Sequence, residues 1–390
     1  MTKFFLRKKV GDRIANGHPW VFANELGDNT GTYNAGDIVE LYSYNGSFVG
    51  KGYINPKSAI RIRLLTYNKE EQIDKQFFLN KIEKAQAYRE TLSFTDNYRL
   101  IHAEGDGLPG LIIDRYGDYF VIQIQTLGIE VWKGAIVDAI KQLFNPKGIY
   151  TRNDLGSRKI EGLDTQSAFL TPAFDTLIKI KEHNLSFTVD VAHGERTGYF
   201  LDQHFNRSAI QPIVRGKNVL DAFCNTGSFS IHAAHYGAKE VLGLDIEQEA
   251  VNMAKKNAQL NNYEQICRFE QANAFDVLRE QVNNHKKYDV VILNPPSFAS
   301  SRQKIDTALN GYKEINRRGM QLIKPGGFLV TSSSSNLISL EDFNHCITNA
   351  AKDSKRQVRV VYYNTQSADH PIAWQIPTTQ HLHFYILQIN

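Results

Sequence analysis

Four short segments carry side chains whose types and spacing could hold a nucleoside and act on a flat polar ring. Asp221-Ala-Phe-Cys-Asn-Thr-Gly227 places an acid, a run of small residues and one glycine directly before a helical stretch. Such a turn lets the backbone approach a ligand at a helix N-terminus. Asp245 follows 24 residues after Asp221, where a carboxylate suits the two hydroxyls of a ribose. Asn273 offers an amide for the edge of an adenine. Asn294-Pro-Pro-Ser-Phe298 combines an amide, a rigid turn and an aromatic ring. A dinucleotide would require Gly-x-Gly-x-x-Gly in the first turn, so that the backbone could admit a pyrophosphate. This turn has a single glycine and an acid before it, which repels pyrophosphate and favours a cation. S-adenosylmethionine (SAM), with an ammonium and a sulfonium, fits that charge.

These residues need a sheet to line them up. From Asn218 onward, buried-strand runs (219–223, 240–245, 288–293, 328–331) alternate with helical stretches. That rhythm predicts an α/β, Rossmann-like, mostly parallel doubly wound sheet, and ligands of such sheets bind outside the carboxyl ends of the strands. We therefore expect a cofactor domain over 191–390. Residues 1–68 read as a small β-barrel, with runs at 37–42 and 48–53 divided by glycine-rich turns. Residues 69–190 read as a connecting helix over 70–94 and a central α+β domain, with a turn-rich hairpin at 105–110 and a helix over 130–144.

Charge is concentrated at one end. Residues 1–66 hold nine basic residues against five acids, which accounts for the whole net charge of +4. A basic module on a nearly neutral body is suited to phosphates. Its candidate RNA contacts are Arg7, Lys8, Lys9, Lys51 and Arg61, with Trp20. The three cysteines, Cys224, Cys267 and Cys346, have neither metal spacing nor partners for a disulfide framework, so no metal is expected. No apolar run is long enough for a membrane span and the N-terminal stretch is too short for a signal peptide, so the chain reads as cytoplasmic.

Asp221 to Gly227, Asp245, Asn273 and Asn294-Pro-Pro-Ser-Phe298 resemble the successive motifs of class I SAM-dependent methyltransferases. Gly198-Tyr-Phe-Leu-Asp-Gln203 and Ala368-Asp-His-Pro371 narrow the match, as do Arg7-Lys-Lys, Gly17-His-Pro-Trp-Val-Phe22 and Gly50-Lys-Gly-Tyr53 at the N-terminus. Together they resemble the bacterial 23S rRNA large-subunit methyltransferases that carry an N-terminal PUA domain, over essentially the whole chain. The resemblance implies that Asp221, Asn225, Thr226 and Gly227 hold the methionine part of SAM, Asp245 the ribose and Asn273 the adenine. Cys224, Ile246, Ala274 and Asn294 would complete the cofactor site, with Thr197 and Phe200 covering it. It also implies 23S rRNA or a pre-50S particle as substrate, and a homodimer.

The best-known members of that family make 5-methylcytosine, using a cysteine thiolate that adds to carbon 6. The matching position here is Ser334, in Thr331-Ser-Ser-Ser-Ser-Asn336. A serine hydroxyl without a dedicated base is a poor substitute. Asn294, Pro295, Pro296 and Phe298 point instead to a base nitrogen, the ring stacking on the base. The C-terminal half of the bifunctional 23S rRNA guanine methyltransferase has a similar Pro-Pro-x-Phe turn and makes 7-methylguanine. Guanine N7 is the expected target, followed by an exocyclic amine; cytosine C5 is the alternative. From other classes, an NAD-dependent oxidoreductase or a non-catalytic ribosome-assembly factor would fit the same fold. His193, His204 and His370 read as structural, Arg302 and Lys304 as a solvated loop that could touch phosphate, and 311–315 as a helix beside the site.

Overall fold

Alternation of apolar and polar residues over the first 66 positions produces six strands in a mixed sheet, in the spatial order Trp20–Phe22, Ile60–Thr66, Phe48–Ile54, Ile38–Tyr42, Lys3–Leu6, Leu26–Thr30. Phe4, Val21, Val39, Leu41, Ile54 and Ile62 meet in its core. Gly52 is required where two strands cross closely: a Cβ there would lie 2.0 Å from the Arg63 carbonyl oxygen. The computed structural model describes every residue except Lys9, Gly11 and Ser300.

Next comes a five-stranded sheet (Asn97–His102, Leu111–Tyr116, Tyr119–Ile124, Gly148–Thr151, Ala168–Phe169) covered by the helices Lys75–Thr91 and Lys133–Phe144. The first helix is shorter than the 70–94 expected, because the Asp74 side chain accepts from Phe77 N at 2.9 Å and caps the N-terminus there, while Ser93 turns out of the helix with φ 63°. The second divides at Trp132, with a short turn at Leu127–Val131 before it. Tyr53 joins this sheet to the first, donating to the Pro109 carbonyl at 2.7 Å.

A two-stranded sheet (Leu177–Glu182, Leu185–Asp190) precedes one of seven strands: β1 (Asn218–Asp221), β2 (Glu240–Asp245), β3 (Cys267–Gln271), β4 (Tyr288–Leu293), β5 (Ile323–Ser333), β6 (Val358–Asn364) and β7 (His383–Ile389). Their order is β3-β2-β1-β4-β5-β7-β6. All are parallel except β7, which runs against both neighbours. Helices α1 (Ser228–His235), α2 (Gln248–Leu260), α3 (Ala274–Asn283), α4 (Ile305–Leu322) and α5 (Leu340–Ser354) make the crossovers. β1 and β4 are apolar throughout their centres, as strands covered on both faces must be.

The chain forms two compact units. One comprises Met1–Ile180, Val189–Leu201 and Ala368–Thr379; the other comprises Lys181–Thr188, Asp202–Ser367 and Gln380–Asn390. No helix among the described residues is long and apolar enough to cross a membrane.

Candidate active site

Strand register brings the sequence candidates of the second unit to one rim. Asp221 pairs with Gly243 of β2 and Ile292 of β4, Asp245 with Gln271 of β3, and Leu293 with Thr331 of β5. Asp221, Asp245, Asn273, Asn294 and Ser332 therefore stand at successive carboxyl ends.

The turn after β1 is held tightly. Asn225 adopts φ 46° and Gly227 φ 83°, and the Asp245 carboxylate accepts from Asn225 N at 2.8 Å and from Glu247 N at 3.1 Å. Gly227 precedes α1, and a Cβ there would meet Phe269 Cζ at 3.0 Å and Ala254 Cβ at 3.1 Å. Asp221 is fully buried. Its Oδ2 accepts from Ser230 Oγ at 2.7 Å, whereas its Oδ1 has no hydrogen-bond partner among the described residues. Burial pushes this carboxyl up to about 7, and the nearby Asp245 charge adds to the shift. An orphaned acceptor of this kind suits an ammonium group. Asp245 uses two of about four lone-pair sites on the backbone, leaving room for two ribose hydroxyls. Ile246 next to it is 58% exposed, an apolar surface beside the rim. The Asn273 oxygen caps α3 by accepting from Phe275 N at 3.0 Å, so its amide NH2 is the group left to face a ligand. Ala274 is buried behind it. This donor set fits SAM.

At the end of β4, Asn294 Oδ1 accepts from Ser332 Oγ at 2.6 Å and from Gln203 Nε2 at 2.8 Å. Gln203 and Ser332 were not singled out from the sequence; the only signal was Gln203 closing the 198–203 motif. Phe298 is half-buried beyond this turn. Its ring packs on Tyr312 at 4.8 Å and Phe275 at 5.7 Å, and a Cβ on Gly311 would press on it at 3.2 Å. This cluster takes up part of its ring and buttresses the turn. Phe223, half-buried at the end of β1 and also absent from the sequence candidates, borders the same cluster. Pro295 is buried and Pro296 exposed.

No thiolate is at hand. Cys224, Cys267 and Cys346 are all buried. Burial raises the first far above its ordinary range, the second to about 12 and the third to about 11. Ser334 is half-buried just past β5, and no described residue hydrogen-bonds its hydroxyl.

Thr197 and Phe200 belong to the other unit. The Thr197 hydroxyl is committed there, donating to Asp114 and lying 2.9 Å from Tyr116 OH. Phe200 lies under Arg196. Among the RNA candidates, Arg7 and Lys8 are exposed, Lys8 above the ring of Tyr44, itself 58% exposed. Lys51 is buried, with its ammonium bound to the Lys69 and Glu71 carbonyls, and this removes it from any phosphate. Trp20 Nε1 donates to Glu104 at 2.8 Å, and Arg61 donates to the Pro56 carbonyl. Lys9 lies outside the described residues.

His370 is buried against Asp369, His193 is exposed, and His204 bonds Glu182 at 3.1 Å. Glu182, His183 and His204 bring ligand-type atoms within 4.8 Å of one another. Burial alone would raise Glu182, yet the Arg207 guanidinium, bonded to both its oxygens, holds it well below the carboxylate range. That arginine competes directly with a metal. Arg302 and Lys304 are exposed.

The profile of a PUA-like domain matches residues 4–67, and that of the S-adenosylmethionine-dependent methyltransferases matches residues 163–361. The ribosomal RNA large subunit methyltransferase I of Aliivibrio fischeri is 39% identical over 376 residues, 95% of each chain. That of Tolumonas auensis is 36% identical over 388 residues, 98% of each. A crystal structure of a protein in complex with S-adenosylhomocysteine superposes with a TM-score of 0.86 at 21% identity, covering all of both chains, which supports the fold. With similarity along nearly its whole length and a rim that fits the cofactor, this SAM-dependent enzyme belongs to the family of the ribosomal RNA large subunit methyltransferases I.

Proposed function

We propose that the chain methylates a base of 23S rRNA, free or in a pre-50S particle, and that the base is guanine, modified at N7. The observation that carries the choice of atom is the absence of a usable thiolate: three buried cysteines with raised pKa values, and a serine without a base at position 334. Addition to carbon 6 of cytosine has no nucleophile under these conditions. A ring nitrogen brings its own lone pair, so the protein's work is orientation.

In this reading Asp221, Asn225, Thr226 and Gly227 hold the methionine part of SAM, and Asp245 holds the ribose. Asn273, Ile246, Ala274 and Cys224 surround the adenine. When bound, SAM supplies an electrophilic methyl group on a sulfonium. Asn294 with Pro295 and Pro296 meets the base edge, and Phe298 keeps that turn rigid. Arg7, Lys8 and Arg61, with Trp20, supply phosphate and stacking contacts that position the RNA without reading its sequence. Residues 1–68 would be the RNA-holding module and 69–190, apart from 181–188, a central domain within the same compact unit, and 191–390 the catalytic domain, apart from the stretches 191–201 and 368–379 that join the first unit. The exposed apolar edge of β6, with Val360, Val361 and Tyr362, supports a homodimer. The enzyme would act in the cytoplasm, where ribosomes are assembled.

The test is to delete the gene and map 23S rRNA nucleosides by mass spectrometry. One 7-methylguanine should disappear. Disappearance of a 5-methylcytosine would overturn the choice of atom and base.

A further inference from the structure

Both lone pairs of the Asn294 side-chain oxygen are occupied, by Ser332 Oγ and Gln203 Nε2, while its NH2 makes no hydrogen bond to any described residue. The orientation of this amide is set by a fixed reference. The Thr365 backbone carbonyl can only accept, so the Asn206 atom 3.2 Å from it is nitrogen. That same nitrogen donates to Gln203 Oε1 at 2.7 Å. Gln203 consequently turns its oxygen to Asn206 and its nitrogen to Asn294, which must answer with oxygen. Asn364 Nδ2 donates to Asn206 Oδ1 at 2.8 Å and closes the far end. Gln203 is 2% exposed, and Asn206 and Ser332 are 1% exposed. Reversing one amide would leave like groups facing each other in a buried network, where no water can relieve them.

We infer that Gln203, oriented by Asn206, is a positioning residue that locks Asn294 to present its NH2, and that the base edge entering this site carries an acceptor beside the methylated atom. The inference rests on Asn294 facing the base, as proposed above. Guanine presents O6 beside N7 and satisfies a donor. Adenine presents an amine beside N7 and sets donor against donor. An exocyclic amine as the target would need an acceptor from Asn294, whose oxygen has none left to offer.

Gln203→Glu keeps the side chain's shape and removes the donor. At neutral pH the new carboxylate should draw in the Asn294 NH2 and reverse the amide. With tritiated SAM at saturation and large-subunit rRNA from a deletion strain as probes, kcat should fall about tenfold or more. The SAM Kd, measured by calorimetry, should stay within about twofold, since the cofactor contacts lie at other strand ends. The rate should recover as the pH falls from about 8 to about 5, because a protonated carboxyl donates again. The wild type should show no such acid-side gain. Gln203→Met, which tolerates burial, covers the case in which the charge prevents folding: it should lower kcat with no acid recovery and no change in SAM Kd. Wild-type rates in these variants, loss in Gln203→Glu without acid recovery, or a wild-type product methylated on an exocyclic amine would each overturn the inference. Failure of the underlying reading is seen separately, because Asn294→Ala would then methylate at the wild-type rate.

Discussion

The turns after β1 and β4 stand on the same rim of one sheet and are polarised in opposite senses. At the β1 turn, Asp221 leaves a buried acceptor without a donor. At the β4 turn, Asn294 has its acceptor filled twice and leaves a donor uncommitted. The first arrangement attracts a cation and the second an acceptor. Specificity at such a rim lies in which half of each side chain the neighbours have already taken. Residue type alone does not decide it, since an asparagine can present either end.

Breaking the β1 side should have the largest effect. Asp245→Ala removes two contacts to the Asn225 and Glu247 amides and the expected ribose contacts. Charged hydrogen bonds contribute about 1.5–3 kcal/mol each, so SAM binding should weaken about 100-fold or more in calorimetry. A value within threefold of wild type would remove Asp245 from the cofactor site. Asp221 offers a test by pH. Its carboxyl, raised to about 7, is protonated below that value and must lose the proton to pair with an ammonium. SAM affinity should therefore strengthen as pH rises from about 6 to about 8, by up to about tenfold per pH unit below the pKa, with a proton released on binding. For the same reason the protein without SAM should lose stability as pH rises from the ordinary Asp range through about 7. Asp221→Asn should abolish both dependences, and a SAM Kd flat across this range in the wild type would contradict the pairing. The smallest effect is expected on the β4 side. Ser332→Ala removes one of two donors to Asn294 while Gln203 still holds the amide, so kcat should fall only about three- to tenfold with SAM binding unchanged.

Much of this arrangement was legible in the sequence because strand ends announce themselves. Asp221, Asp245 and Asn294 each follow a short apolar run, and a parallel sheet brings such ends to one side. The N-terminal strands were legible for a similar reason, since short runs divided by glycine-rich turns identify strands. What was not legible shares one physical cause: whether a polar group is free depends on partners far along the chain. Lys51 reads as a surface cation, yet two carbonyls some 20 residues away bury it. Phe298 reads as a stacking ring, and only the fold shows that Tyr312 of α4 and Phe275 of α3 pack on it. The helix over 70–94 read too long because apolar spacing continued past a capping Asp74.

Residue identity and local period were enough for the fold class and the cofactor, and the family resemblance put Ser334 where relatives carry a cysteine. Only the tertiary structure decided the polarity of Asn294. Its neighbours Gln203, Asn206 and Ser332 come from a segment 91 residues earlier and a strand 38 residues later. Hydrogen-bond direction is a property of the closed network, and a network has no direction until its ends meet a backbone carbonyl such as that of Thr365.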